Sequence, residues 1–209
     1  MNATIIIPVY NEVQALDSEL ARFFSADFIN DYELIIVDDG STDGSTDKLR
    51  DLYKHAGRDN VVLIHHEQNI GYGAALKTGI MNASTEHIII TDADNSYPND
   101  RIPEFYKIYT RLGVDMVVGA RTGKDAAIPL LRRPPKWCLN KLANYLVRTK
   151  IPDLNSGLRI FRRDVILNYI NLICNGFSFT TTLTLIMLCN NYKVKYIPIA
   201  YHARSGTSK

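Results

Sequence analysis

The sequence predicts an α/β protein with a mostly parallel central sheet and helices on both of its faces. Three observations lead there. Apolar, β-branched runs recur through the first ~120 residues, segments of helical spacing alternate with them, and the runs are continuously apolar, as in strands buried on both sides. ATIIIPV (3–9) is the first strand, followed by a helix over 13–24 through Val13, Leu16, Leu20 and Phe24. YELIIVD (32–38) is the second strand, and Ser45 is placed to cap a helix over 46–55. NVVLIHH (60–66) and HIIIT (87–91) are the third and fourth, separated by a helix from about Tyr72 to Met81. A helix over 100–112 and the strand VDMVVGA (114–120) complete the regular half.

The remainder is less regular. RRPP (132–135) delays a helix to about Pro135, after which Trp137, Leu139, Leu142, Ala143 and Leu146 mark an amphipathic one. A short strand at 158–161, a helix over 179–190 and a final strand, KVKYIPI (193–199), follow. No repeat, low-complexity tract or linker interrupts the 209 residues, a length that suits one core. A single domain is expected, with halves at about 1–120 and about 121–209.

A hydrophobic content of 46% with 22% charged residues is that of a globular protein. No apolar run approaches the roughly 20 residues of a membrane span, and the start, MNATIIIPVYNE, lacks a basic region and cleavage site. A soluble, unexported domain is expected. Cys138, Cys174 and Cys189 are an odd number without a CxxC, and read as buried thiols in a reducing compartment. The net charge of +2 conceals a basic block: residues 121–150 carry +7, with Asp125 the one acid, which leaves the rest at −5. Such a block attracts a nucleotide, a phospholipid surface or a phosphorylated acceptor, and equally fits a solvated loop and helix face.

Chemistry collects where the strands end. PVYNE (8–12), VDDGSTD (37–43) and TDADNSYP (91–98) follow the first, second and fourth strands. An open α/β sheet binds its ligand beyond those carboxyl ends, so three polar strand ends on one edge predict a site. His65 and His66 end the third strand without a second ligand set, so no metal is expected there. In NIGYG (69–73) the glycines are read as loop–helix packing, although the head of a helix also suits an anion.

PVYNE, VDDGSTD, NIGYGAALKTG and DAD, in this order, resemble the family 2 glycosyltransferases of the GT-A fold. NSGLRIFRRD (155–164), GFSFTTTLT (176–184) and RSGTSK (204–209) resemble its polyprenyl-phosphate branch, so the likeness spans essentially the whole chain. The resemblance implies a GDP- or UDP-sugar donor, a polyprenyl phosphate acceptor such as dolichyl or undecaprenyl phosphate, Mg²⁺ or Mn²⁺, and inversion at the anomeric carbon. It implies peripheral contact at the cytoplasmic face of a membrane, made by the basic amphipathic helix near 136–148. It implies no nucleic-acid partner and leaves the oligomeric state open.

The implied roles fall on named residues. Asp94 matches the metal ligand, Asp92 lies toward the ribose, and the backbone at Ala93 approaches the nucleotide. Residues 92 and 94 share a side if the strand's extended geometry continues. Pro8, Tyr10 and Glu12, with Val37 and Asp39, match positions that hold base and ribose. Asn11 belongs to the same donor-binding loop, and both it and Asp38 also suit loop-tying hydrogen bonds. Arg121 matches a position beside the diphosphate and, with Asp94, is expected to be catalytic. Arg132 and Arg133 suit the diphosphate or the acceptor phosphate, and Arg204 and Lys209 match a late basic motif over the nucleotide.

Three departures from the family pattern refine this. RSGTSK is one residue shorter than the usual R-x-x-G-x-S-K, which bears on Arg204. Relatives that glycosylate hydroxyls carry an acid near Thr182, where this chain has Thr180, Thr181 and Thr182. A phosphate acceptor, already anionic at neutral pH, needs no base, although Asp153 is a carboxylate that would serve as one. Finally, some mannosyl relatives read DADLQHP, whereas Ser96 and Tyr97 stand here, so fewer protein groups hold the metal and the donor need not be GDP-mannose. The alternatives are transfer to a sugar hydroxyl in a surface polysaccharide and a catalytically silent nucleotide-sugar or lipid-binding module. A nucleotidyltransferase is disfavoured, because no glycine-rich loop follows the first strand.

Overall fold

The computed structural model describes residues 1–16, 23, 26–94, 96–122 and 141–201. Seven strands form one sheet in the order β3-β2-β1-β4-β6-β5-β7: β1 (Thr4–Val9), β2 (Glu33–Asp38), β3 (Val61–His65), β4 (His87–Ile90), β5 (Met116–Ala120), β6 (Arg159–Arg162) and β7 (Val194–Pro198). β1 pairs in parallel with β2 from Thr4↔Glu33 to Val9↔Asp38 and with β4 from Thr4↔Ile88, while β6 runs antiparallel to both β4 and β5. The mostly parallel sheet is therefore as expected; the reversed β6 is what the periodicity alone did not specify.

The side-chain period of two divides the apolar strands between two cores. Ile5, Ile7, Leu34, Ile36 and Ile89 point to one face, where α3 (Ile102–Leu112) supplies Phe105 and Tyr109. Ile6, Ile35, Val37, Ile88 and Ile90 point to the other, under α2 (Tyr72–Asn82) and α6 (Phe179–Cys189). Every residue of β2 is buried, which is why LIIV, between Glu33 and Asp38, is an unbroken apolar run. α1 (Ser45–Ala56), a helix over 141–147 (α4) and the short α5 (Arg163–Leu167) complete the helices used below.

Strand and helix boundaries fall within two residues of the expected ones for most elements. The helix over 13–24 is described only as the turn Val13–Ala15, and Leu20 and Phe24 lie outside the described residues, as do Trp137 and Leu139. Two expectations, the Ser45 cap and the burial of the cysteines, need correction. Ser45 is the first residue of α1 and Gly44 its N-cap, at φ 95°. The Ser45 hydroxyl is already engaged, accepting from the Glu12 N–H at 2.9 Å and donating to Asp43 at 2.6 Å. On α4, Ala143 is buried against Ile151 and Leu154, while Leu142 and Leu146 are exposed. Cys174 and Cys189 are exposed free thiols. Cys174 follows the inward-pointing Ile173 and so faces out, and Cys189 is the last residue of α6. Among the described residues no helix is long and apolar enough to cross a membrane.

Candidate functional site

The strand order changes direction between β1 and β4, which opens a crevice at the carboxyl ends of these parallel strands. TDAD enters it from β4 and PVYNE from β1. The ladder stops at Thr91, whose N–H donates to the Ile6 carbonyl at 3.2 Å, and the chain then bends. Extended geometry does not persist, so the two aspartates part company. Asp92 Oδ1 accepts from the Tyr72 hydroxyl at 3.1 Å, and a Cβ on Gly157 would stand 2.8 Å from Asp92 Oδ2. Asp94 turns back on its own loop, where Oδ1 accepts from the Ser96 N–H at 3.1 Å and the Ser96 hydroxyl at 2.5 Å. Burial, then the charge of Asp94, pushes the Asp92 carboxyl up to about 7. The Tyr72 hydroxyl and the charge of Arg121 work in the opposite direction.

The neighbouring loops are tied by carboxylates. Asp38 is buried and accepts from Ser41 N–H, from the Thr46 hydroxyl at 2.5 Å and from His65 at 3.0 Å. Burial opposes its charge, but these hydrogen bonds hold its carboxyl below the usual range. Asn11, at φ 54°, accepts from Thr42 N–H at 2.7 Å and donates its own N–H to Ser41. Asp39 is sealed from solvent: Oδ1 meets His66 at 2.8 Å and the Ile70 N–H at 3.1 Å, and Oδ2 accepts from the Gly71 N–H at 2.9 Å. His66 also reaches the Thr78 hydroxyl at 3.0 Å. Asp38, Asn11 and Asp39 thus fix three loops against one another. Tyr10 is exposed, Pro8 and Glu12 are half-buried, and Val37 and Ala93 lie in the core.

Across the crevice, Arg121 leaves the end of β5 and grips Asp153. Nε and Nη2 donate to the two carboxylate oxygens at 2.7 and 2.8 Å, and the Arg121 N–H donates to the same group at 3.0 Å. The guanidinium also lies over the Tyr201 ring, 5.1 Å from its centroid. Burial disfavours both charges, yet the pairing outweighs it: Asp153 stays below the usual carboxylate range and Arg121 above its ordinary value. Residues 153–157 form a hub. The Gly157 N–H donates to the Tyr97 hydroxyl at 2.6 Å, the Ser156 hydroxyl to the Gly119 carbonyl at 2.5 Å, and the Thr181 hydroxyl to Asn155 at 2.5 Å. Beneath it, the fully buried Arg159 donates to the Ser156 and Leu154 carbonyls at 2.8 Å each and to the Thr184 hydroxyl at 2.6 Å.

Gly71 and Gly73 do what close packing requires. Gly71 sits at φ 110°, and a Cβ on Gly73 would come within 2.2 Å of the Cys174 carbonyl oxygen. The Ala74 N–H donates to the Asn175 carbonyl at 2.8 Å, so the head of α2 faces protein at this point. Gly73→Ala is expected to cost about 3 kcal/mol in a urea titration, because the atom it meets is backbone and cannot move aside cheaply. Gly176→Ala, where a Cβ meets nothing within 4 Å, is the control and should cost far less. Equal losses would refute the packing role.

The donor chemistry of Asp94 fits a hard divalent cation. Its group is a carboxylate beside a second carboxylate, and Mg²⁺ or Mn²⁺ takes such oxygens. Among the described residues no cluster of three or more His, Cys, Asp or Glu gathers, so the remaining ligands would be phosphate oxygens and water. Ser96 is buried and bonded to Asp94, and Tyr97 is buried on Gly157, so both steady the loop.

The structure brings together Asp92, Ala93 and Asp94 with Tyr72 and Tyr97, and it links Asp39 to the head of α2. Arg121 is held at Asp153. Arg132, Arg133, Arg204 and Lys209 lie outside the described residues. Tyr72, Tyr97, Arg159 and Tyr201 had no expected role. Of these only Arg159 left a usable signal: a lone arginine inside the apolar strand LRIF (158–161) has to find buried acceptors.

The chain matches the model of glycosyl transferase family 2 over residues 4–169. It is 30% identical over 170 residues to the dodecaprenyl-phosphate galacturonate synthase of Rhizobium johnstonii, covering 79% of this chain and 49% of that protein. It is 32% identical over 191 residues to the undecaprenyl-phosphate 4-deoxy-4-formamido-L-arabinose transferase of Pseudomonas fluorescens, covering 86% and 54% respectively. The chain thus spans about half the length of both relatives. Among solved structures, the mannosyltransferase PcManGT of Pyrobaculum calidifontis, in complex with GDP-Man and Mn²⁺, superposes with a TM-score of 0.66 at 21% identity, covering 94% of this chain and 55% of that one. With the strand order and the acids at its switch point, these matches settle the lineage: the chain belongs to glycosyl transferase family 2 and has the GT-A fold.

Proposed function

We propose that residues 1–209 act as one catalytic unit that moves a sugar from a GDP- or UDP-sugar to a polyprenyl phosphate, with inversion at the anomeric carbon. The observation that carries this reading is the state of the acceptor-side acid. Asp153 is locked into a two-pronged ion pair with Arg121 and held below the usual carboxylate range, which makes it a poor base. The Thr181 and Thr182 hydroxyls are spent on Asn155 and on the Ser178 carbonyl. A sugar hydroxyl would need its proton removed; a phosphate oxygen does not.

In this scheme an oxygen of the lipid phosphate attacks the anomeric carbon opposite the leaving group. The new C–O bond forms as the bond to the nucleoside diphosphate breaks, and the electron pair departs with that diphosphate. No proton has to move. Asp94 would hold Mg²⁺ or Mn²⁺, which when bound supplies Lewis-acid stabilisation of the diphosphate. Asp92, backed by Tyr72, faces the donor, and Arg121, set in place by Asp153 and Tyr201, faces the diphosphate. Leu142, Tyr145 and Leu146 are exposed beside Lys141, Arg148 and Lys150, a composition that suits the surface of an anionic membrane at its cytoplasmic face.

A product assay tests the reading. Incubation with radiolabelled UDP- or GDP-sugars, Mn²⁺ and undecaprenyl or dolichyl phosphate should give an organic-extractable product that mild acid cleaves. Label that stays water-soluble and acid-stable on a glycan would establish hydroxyl transfer instead. Donor binding without any product would identify a silent module.

A further inference from the structure

We propose that Phe177 is the platform on which the first isoprene units of the acceptor lie, and that this contact sets the preference for a prenyl chain over a saturated one. The proposal rests on the polyprenyl-phosphate reading above and deepens it. Phe177 is 84% exposed, although it stacks on Tyr72 with ring centroids 5.8 Å apart and planes 16° from parallel. Tyr72 in turn donates its hydroxyl to Asp92 at 3.1 Å. Whatever covers Phe177 is therefore one aromatic ring away from the DAD carboxylates.

The exposure is built in rather than a by-product of a loose loop. Gly71 and Gly73 leave no room between the head of α2 and residues 174–176, and the Ala74 N–H and Lys77 ammonium both bond Asn175 at 2.8 Å. The two loops that meet here also present Ile70 and Leu172, which are 48% and 70% exposed. The surrounding sequence is unusual for a solvated edge. From Val165 to Tyr192 the chain reads VILNYINLICNGFSFTTTLTLIMLCNNY, without one Asp, Glu, Lys or Arg. In a chain that is 22% charged, an uncharged loop with a fixed aromatic at its tip suits an apolar occupant. Lys77 stands beside this patch, its ammonium bonded to Asn175. An isoprene unit offers a flat, apolar double bond to an aromatic face, which a saturated chain does not.

The test compares wild type, Phe177→Ala and Phe177→Trp with farnesyl phosphate and n-decyl phosphate. Phe177→Ala is expected to raise the KM for farnesyl phosphate about tenfold, in keeping with the loss of one aromatic contact. It should leave kcat at saturating acceptor, the donor dissociation constant and the melting temperature nearly unchanged. Phe177→Trp should stay near wild type, and n-decyl phosphate should respond much less. An unchanged KM for farnesyl phosphate overturns the proposal, as does a loss confined to donor affinity, which would assign the ring to the donor sugar. Equilibrium binding of farnesyl phosphate separates the two readings. If wild type turns over no prenyl phosphate yet Phe177→Ala still binds farnesyl phosphate tenfold more weakly, the transfer reading fails and the platform stands. Equal binding by the two proteins removes the platform.

Discussion

Asp94→Asn is expected to lower kcat/KM for sugar transfer by about 10³-fold while leaving the fold intact. Asparagine keeps an oxygen that can accept from the Ser96 N–H and hydroxyl, so the loop retains its hydrogen bonds. What it loses is the negative charge that makes the group a ligand for a hard cation. The variant should therefore bind nucleotide sugar with no added stabilisation from Mn²⁺, where wild type should show a metal-dependent rise in melting temperature. Removing one of two neighbouring carboxylates should also leave the metal-free protein at least as stable as wild type, because the Coulombic repulsion between them is gone. Retained turnover with an unchanged Mn²⁺ dependence would exclude Asp94 as the ligand.

The second large effect is on stability and comes from Arg121 and Asp153. With both side chains only about a tenth exposed, neither ion can fall back on water when its partner goes. Arg121→Met should cost about 3–5 kcal/mol, and Asp153→Leu a similar amount. The double variant should recover most of that loss, because no uncompensated ion is left behind. Activity should not follow stability: if Arg121 acts on the diphosphate, the recovered double variant stays inactive. The sign of the pH dependence is fixed as well. Asp153 has a folded-state pKa below its unfolded value, so its contribution is complete above the ordinary carboxylate range and disappears as pH falls through the folded value. Wild type should lose stability more steeply than the double variant below about pH 4. A double variant that loses the sum of the two single losses would show that the pair does not couple.

The parts of this molecule that were legible in its sequence are those set by local period. β1, β2 and β4 were located within a residue because the middle of a strand buried on both faces is apolar, and the acids after them mark the ligand edge. The side-chain partners were not legible. DAD places two carboxylates two residues apart, but where each turns depends on Ser96 and on Tyr72, the latter twenty positions away. Asp39 has a donor-binding pattern in sequence, whereas its oxygens meet His66, Ile70 and Gly71 across three loops. Cysteine's usual burial misled at Cys174 and Cys189, since burial follows which side of the backbone a residue occupies and not its type. The direction of β6 was also hidden, because four apolar residues look alike whichever way they run.

That reversed strand bears on how the protein is made. β1 to β4 can pair with one another as soon as they leave the ribosome, but both neighbours of β5 come later in the chain: β6 begins at Arg159 and β7 at Val194. At synthesis rates of about 5–20 residues per second, MVVGA waits several seconds with both of its edges unsatisfied. A nascent chain stalled between β5 and β6 would carry a sticky, fully apolar strand beside a finished half-sheet. Chaperone capture and aggregation during synthesis should concentrate in that interval, with release once Arg159–Arg162 has emerged and slotted in between β4 and β5.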